Sequence, residues 1–289
     1  MSGIIQGYWS KKKSGGGTTI YDDAIYIFSP RLLRSAYVGP CGRVKRDSDN
    51  AEQDINFVGG VIDEASIISF CGAANGYFNF YNQGTDSSNY PTSFNTRIYD
   101  GSAIDKINGF PALYFNGSIT SWRPNVASTS DYLLDKPSMM FATGVSTRSN
   151  AISSLFGESL TNNLSLGLQI MTGTDTRDID YRPDNVSRRI DFASNATVSQ
   201  LYLFGYTKNN SGTINGYVDG VKEANELTGL SGVGFTTTGT SSLKWGGGRS
   251  ATFAAWFLTG YSHELIAFDY YDATREADVQ LDMMTYYGI

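Results

Sequence analysis

Acidic side chains are the residues of this chain whose types and spacing best suit chemistry. Asp178, Asp180 and Asp184 lie in DTRDIDYRPD, Glu158 lies in LFGES, and Glu264 adjoins the single histidine, His263. Two carboxylates held ~5–5.5 Å apart are the machinery of a retaining glycosidase, one acting as nucleophile and one as acid/base. A single histidine excludes a multi-histidine metal centre, and any His-dependent triad would have to pass through His263. No Ser-His-Asp order is apparent, and GGGR at 246–249 lacks the Lys-Ser/Thr that gives a phosphate-binding loop its mechanism. No metal or cofactor is expected. Each carboxylate also has a plainer reading. Asp178 to Asp184 alternate with Arg177 and Arg182, as in a salt-bridged loop or strand edge. Glu158 follows Gly157 and suits a turn cap, Glu264 borders the last apolar run, and His263 reads as structural.

The most heavily charged stretch is YVGPCGRVKRDSDNAEQDINF, residues 37–57. RVKR followed by DSDNAEQD is a poor phosphate track, because the acidic run cancels the basic one. An EF-hand calcium loop requires a glycine after its third ligand position, and here Asp47-x-Asp49 runs on into Ala51-Glu52. Val44 between Arg43 and Lys45, then Ile55 and Phe57 alternating with Asp54 and Asn56, predict two strands joined by an Asx-rich turn. The opposed charges would then neutralise each other across the hairpin.

The elements that position these residues must be mostly strands. The 289 residues include 32 Gly, 19 Tyr and 16 Phe, a mixture that favours pleated strands and tight turns. Apolar runs at sheet spacing recur at 112–116, 138–142, 165–169, 200–205 and 264–268, separated by Asn, Gly, Ser and Thr clusters. Asp219-Gly220 in YVDGVK predicts a two-residue hairpin turn. Three helices are expected: 30–37 with Ser29 as N-cap, 63–70 opening on Asp63, and 273–286 after Asp272. The net charge of −6 and pI near 4.8 argue against an electrostatic nucleic-acid binder. No apolar run approaches the ~20 residues of a membrane helix, and MSGIIQGYWSKKK is not a signal peptide. Cys41 and Cys71 read as buried thiols, with a single bridge between them as the alternative. Residues 1–22 form an arm with a glycine joint ahead of a single domain at 23–289. In that arm Ile4, Ile5, Tyr8 and Trp9 are candidates for anchoring to a partner.

Two blocks carry a resemblance. FLTGYSHELIAFDYY (257–271), the helix after it and the YVDGVK hairpin resemble the closing half of laminin-G-like and concanavalin-like jelly rolls. Leu33 to Pro40, Arg43 to Asn50, Asp54-Ile55 and Phe80 to Gly84 resemble the N-terminal half of the α-L-arabinofuranosidase B catalytic domain, glycoside hydrolase family 54. The same block is similar to bacteriophage virion and tail-fibre proteins. The resemblance implies an all-β fold: an antiparallel β-sandwich of jelly-roll type with a few short helices, one near the C-terminus. In the family the acid/base Asp follows a Gly-Gly pair. The matching position here is Gly248, followed by Arg249, a residue that stays protonated. The family's vicinal cysteine pair has no counterpart.

The resulting expectation is a jelly roll without catalysis: a structural bacteriophage virion protein, whether head decoration, fibre or tail subunit. It would be assembled in the host cytoplasm with other virion proteins, as a homo-oligomer and first of all a trimer, with no nucleic-acid partner and no membrane insertion. Host-surface polysaccharide is the expected ligand, with Trp122, Tyr181 and Trp245 as candidate sugar platforms. The alternative is a glycoside hydrolase, arabinofuranosidase-like or a polysaccharide depolymerase, acting through two carboxylates.

Overall fold

The computed structural model describes residues 20–86, 96–117, 136–147, 152–161, 164–171, 178–182, 188–192, 197–230, 242–246 and 257–289. The first ten strands are β1 (Tyr26–Phe28), β2 (Gly42–Arg46), β3 (Glu52–Ile55), β4 (Phe57–Val58), β5 (Val61–Ile62), β6 (Asn75–Phe80), β7 (Arg97–Asp100), β8 (Lys106–Ile107), β9 (Phe110–Pro111) and β10 (Leu113–Asn116). The middle of the chain supplies β11 (Ser138–Ser146), β12 (Ile152–Thr161), β13 (Leu164–Met171), β14 (Asp178–Arg182) and β15 (Arg188–Asp191). The rest are β16 (Tyr202–Lys208), β17 (Ile214–Val218), β18 (Val221–Leu227), β19 (Ser242–Trp245), β20 (Thr259–Ser262) and β21 (Leu265–Phe268). Two helices join them, α1 (Glu64–Cys71) and α2 (Ala273–Tyr287).

Every pairing among the described strands is antiparallel. One sheet of 12 strands runs β18-β17-β16-β11-β20-β10-β7-β6-β2-β3, with β21 joining β11 to β1, and a second runs β15-β14-β13-β12-β19. Between them lies the main core, where Phe28, Phe78, Phe115, Met140 and Phe204 meet Phe156, Ile179, Ile190 and Trp245. This is the expected all-β sandwich. Alternation then decides what covers the far side of the large sheet. Met139, Phe141, Leu203 and Ile266 point away from the main core and are buried by Val279 and Met283 of α2. All nine residues of β11 are therefore buried, which is why its sequence is nearly continuous in apolar and small residues.

The caps follow from local chemistry. Asp63 accepts from the Ser66 amide at the start of α1, and Asp272 accepts from the Thr274 and Arg275 amides at the start of α2. The β17–β18 turn has φ of 50° at Asp219 and 76° at Gly220, the paired positive values of a two-residue hairpin turn. The charged hairpin forms as expected. Arg43 lies opposite Asp54 and bonds it at 2.6 Å, Lys45 lies opposite Glu52, and Arg46 closes on Asp49 at 2.6 Å. The hydrogen bond from Arg46 holds Asp49 down at a pKa of about 2.

The expected helix at 30–37 does not form. Arg31 bridges Val61, the Leu32 amide donates to Gly60 O, and the Ile62 amide donates to Pro30 O, so the segment runs extended against β5. The buried Gln83 amide completes the arrangement, accepting from the Leu33 amide and donating to Arg31 O. Non-local hydrogen bonds override a local Ser-Pro helix signal. Just ahead of β1, Tyr21 is buried and donates to Asp282 at 2.7 Å. Ile4, Ile5, Tyr8 and Trp9 lie outside the described residues.

Candidate functional site

Glu264 is a fully buried carboxylate, and it is fully committed. Arg31 donates to its Oε1 from NH2 at 2.6 Å and to its Oε2 from Nε at 3.1 Å, and Ser29 Oγ donates to Oε2 at 2.6 Å. Arg31 NH1 reaches Asp282 of α2 at 2.9 Å, and its guanidinium stacks 4.2 Å from the Tyr286 ring centroid. Burial disfavours the Arg31 charge, but Glu264 and then its other neighbours outweigh this and raise its pKa. Burial, reinforced by Glu264, likewise raises the Tyr287 phenol. This cluster fastens the segment after β1, the β20–β21 junction and α2 together, and offers no oxygen to a substrate. His263 is structural too. It is fully buried, contacts Thr143 Oγ1 and Ile107 O, and stacks on Tyr287 at 4.3 Å. Burial lowers its pKa to about 4.

The other acids lie on the five-stranded sheet. Glu158 is not a turn cap. It sits inside β12 with Leu166 on one side and Leu243 on the other, because the Gly157 position is itself paired in the strand. Asp178 and Asp180 are strand residues of β14, while Asp184 lies outside the described residues. Register separates them. Glu158 shares a row with Leu166, Tyr181 and Arg188, whereas Asp180 occupies the next row, with Gly167 and Arg189. Adjacent rows take opposite faces of the sheet.

A different pair emerges from the same register. Asp178 on β14 lies directly opposite Asp191 on β15, one step from the Ile179–Ile190 row. Ile179 and Ile190 are buried in the core, so alternation assigns the Asp178–Asp191 row to the outer face, where Asp191 and Arg189 are exposed. Directly opposed residues have Cβ atoms ~4.5–5.5 Å apart, and like charges so placed destabilise a sheet. Sequence reading missed Asp191. The only signal was the RRIDF run, in which an apolar residue alternates with charged ones.

The candidate sugar platforms fare differently. Trp245 is a core residue: it is fully buried, packs against Phe28, Phe80 and Phe115, and donates from Nε1 to Ser262 at 2.9 Å. Its strand alternates with the same period as Phe156, which turns it inward and leaves no ring face for a sugar. Tyr181 occupies a register position opposite Leu166 and Arg188. Trp122, Gly248 and Arg249 lie outside the described residues. Cys41 and Cys71 are both buried and unbridged. Among the described residues no group of three or more His, Cys, Asp or Glu is arranged to hold a metal, and no helix is long and apolar enough to cross a membrane.

No protein-family model matches the chain, and no curated protein sequence does either. Solved structures do. A mutant of a GH54 α-L-arabinofuranosidase soaked with 4-nitrophenyl α-L-arabinofuranoside has a TM-score of 0.63 at 15% identity, covering 90% of this chain and 62% of that one. An arabinofuranosidase complexed with arabinofuranosyl-α-1,2-xylobiose has a TM-score of 0.62 at 17% identity, with the same coverage of 90% and 62%. A Trypanosoma rangeli sialidase in complex with a difluorinated nonulosonic acid has a TM-score of 0.51 at 17% identity, covering 71% of this chain and 31% of that one. The chain thus spans about 62% of the length of the arabinofuranosidase structures it matches. These descriptions name no virion protein, and the expectation of a bacteriophage subunit gains nothing from them. They also correct the expectation that the chain is not an enzyme. These three solved neighbours are glycosidases, and the glycine at position 248 does not decide the question. What the likeness shows is the fold, a sandwich shared with arabinofuranosidases across most of this chain.

Proposed function

We propose that this chain acts on glycans, hydrolysing glycosidic bonds through Asp178 and Asp191 on the outer face of the five-stranded sheet. The observation that carries this reading is their direct opposition in the β14–β15 register. Directly opposed positions have Cβ atoms ~4.5–5.5 Å apart, and a retaining glycosidase works through two carboxyl groups ~5–5.5 Å apart, one attacking and the other shuttling the proton. Arg189 lies opposite Asp180 in the row two residues along, which brings a cation to the same face. The solved neighbours support a glycan substrate, and a pentofuranoside is the first to test. Assembly into a virion rests on the N-terminal block alone and is a separate proposal, tested by looking for the chain in purified particles.

The test is release of 4-nitrophenol from 4-nitrophenyl α-L-arabinofuranoside, and of reducing ends from a panel of arabinans, xylans and bacterial surface polysaccharides. Asp178→Asn and Asp191→Asn should each lower turnover ~10²–10⁴-fold, the usual range for removing an acid/base group, with thermal unfolding no lower than the wild type's, because each removes one of two opposed like charges. Turnover that stays at the wild-type level in both variants, or a wild type that never exceeds the blank, overturns the assignment.

A further inference from the structure

We propose that the part of the outer face of the 12-stranded sheet that α2 leaves uncovered, from β3 towards β20, carries a linear binding site for an uncharged polysaccharide chain lying across the strands. A single register row crosses six strands: Glu52 opposite Lys45, Lys45 opposite Tyr77, Tyr77 opposite Arg97, Arg97 opposite Tyr114, and Tyr114 opposite Tyr261. Directly opposed residues share a face. That face points away from the main core, because the alternate residues Val44, Phe78 and Leu113 are fully buried, and at its far end Tyr261 is half-buried in the cluster that holds Ile107, Phe110 and Tyr286. Each of the six remains at least partly accessible to solvent.

The row has the chemistry and the stride of a sugar-chain platform. Strands lie ~4.8 Å apart, so Tyr77 and Tyr261 are separated by three steps, about 14 Å, with Tyr114 between them. One strand step is close to the length of one sugar residue. Tyrosine rings offer apolar faces to sugar C–H groups, while guanidinium, ammonium and phenol groups bond hydroxyls. The central part is held in place before any ligand arrives. Arg97 forks onto Asp105 at 2.8 and 3.0 Å, its Cζ lies 4.6 Å from the Tyr114 ring centroid, and the Tyr114 and Tyr261 rings are 5.1 Å apart. Such preorganisation lowers the entropic cost of binding.

Charge selects the class of ligand. Lys45 faces Glu52, and Arg97 is matched by Asp105, so the row presents polar groups without a net field. A polyanion would find Arg97 already countered by Asp105, whereas a neutral chain needs no free cation. This site rests on the glycan reading, but it lies on the opposite outer surface of the sandwich from Asp178 and Asp191. It would therefore hold polymer without cutting it.

The experiment is affinity electrophoresis of the full chain through gels containing linear arabinan, xylan or polygalacturonate. The wild type should be retarded by a neutral polymer and not by polygalacturonate. Tyr77→Ala/Tyr114→Ala should weaken that retardation about tenfold, Tyr114→Phe should keep it, and Asp178→Asn should keep it while losing hydrolysis. If Tyr114→Ala unfolds the sheet, Tyr77→Ala alone carries the test. Absence of retardation by either neutral polymer, retardation by polygalacturonate alone, or full retardation of a folded double variant overturns the site. Retardation without hydrolysis would overturn the catalytic pair and leave this site standing, and hydrolysis without retardation would do the reverse.

Discussion

Replacing Glu264 by Gln is expected to be among the most damaging single-atom changes in the molecule. The substitution preserves shape and removes the charge opposite Arg31, whose side chain is only 2% exposed. Both Glu264 oxygens are occupied, Oε1 by Arg31 NH2 and Oε2 by Arg31 Nε and Ser29 Oγ. An amide turned either way must present its NH2 group to one of these donors. Breaking a buried ion pair from one side typically costs about 3–5 kcal/mol. Asp282 stays 2.9 Å from Arg31 NH1, but it is 27% exposed and compensates only in part, which places the expected loss near the lower end. A loss of about 3 kcal/mol corresponds to a fall in Tm of roughly 6–12 °C, taking ~2–4 °C per kcal/mol for chains of this general size.

Urea unfolding at neutral pH, followed by tryptophan fluorescence, measures the effect. Trp245 in the core reports on the packing of the two sheets. The double variant Arg31→Met/Glu264→Leu should recover most of the stability, because a well-packed apolar pair leaves no charge uncompensated. A loss below 1 kcal/mol for Glu264→Gln, or a double variant less stable than the single one, would refute this account. Residual hydrolysis should follow the folded fraction, because Glu264 has no role in the proposed chemistry.

Two further predictions concern titratable groups. His263 has its pKa depressed by burial from 6.5 to about 4, so the unfolded chain binds the proton more readily between those values. Its neutral form supports the fold fully above pH 6.5, and that support is lost as pH falls towards 4, on the order of 3 kcal/mol in all. His263→Phe should flatten this part of the stability–pH curve, and an unchanged slope would count against the assignment. The Cys41 thiol, fully buried and with its pKa raised by desolvation, should resist a disulfide reagent under native conditions and react within the unfolding time in urea. Immediate modification of native Cys41 would show an opening that the structure does not contain.

The features legible in the sequence are those settled within a few residues. The Asp219-Gly220 turn, the Asp63 and Asp272 caps and the RVKR–DSDN hairpin each take their geometry from neighbouring backbone and side chains. The features misread are those settled at long range. Ser29-Pro30 carries a helix-start signal, yet Gly60, Val61, Ile62 and Gln83 supply hydrogen bonds that keep the segment extended. Trp245 precedes a glycine run and reads as a loop platform, yet β19 is four residues long, too short for its alternation to stand out. Glu264 finds Arg31 at a separation of 233 residues, a pairing no local pattern announces.

Register also separates the two kinds of carboxylate in this fold. An acid opposite a base, as with Arg43 and Asp54 or Asp180 and Arg189, lowers the energy of the sheet and needs no further reason to exist. An acid opposite an acid raises it, and Asp178 facing Asp191 is the arrangement that stability alone would not select. Glu264 shows the opposite extreme, a carboxylate so well satisfied that catalysis would require dismantling its support. The sequence alone singled out Asp178, Asp180 and Glu264 without ranking them, and passed over Asp191. What distinguishes them is the residue across the strand, and that residue makes the outer face of the five-stranded sheet the place to look for hydrolysis.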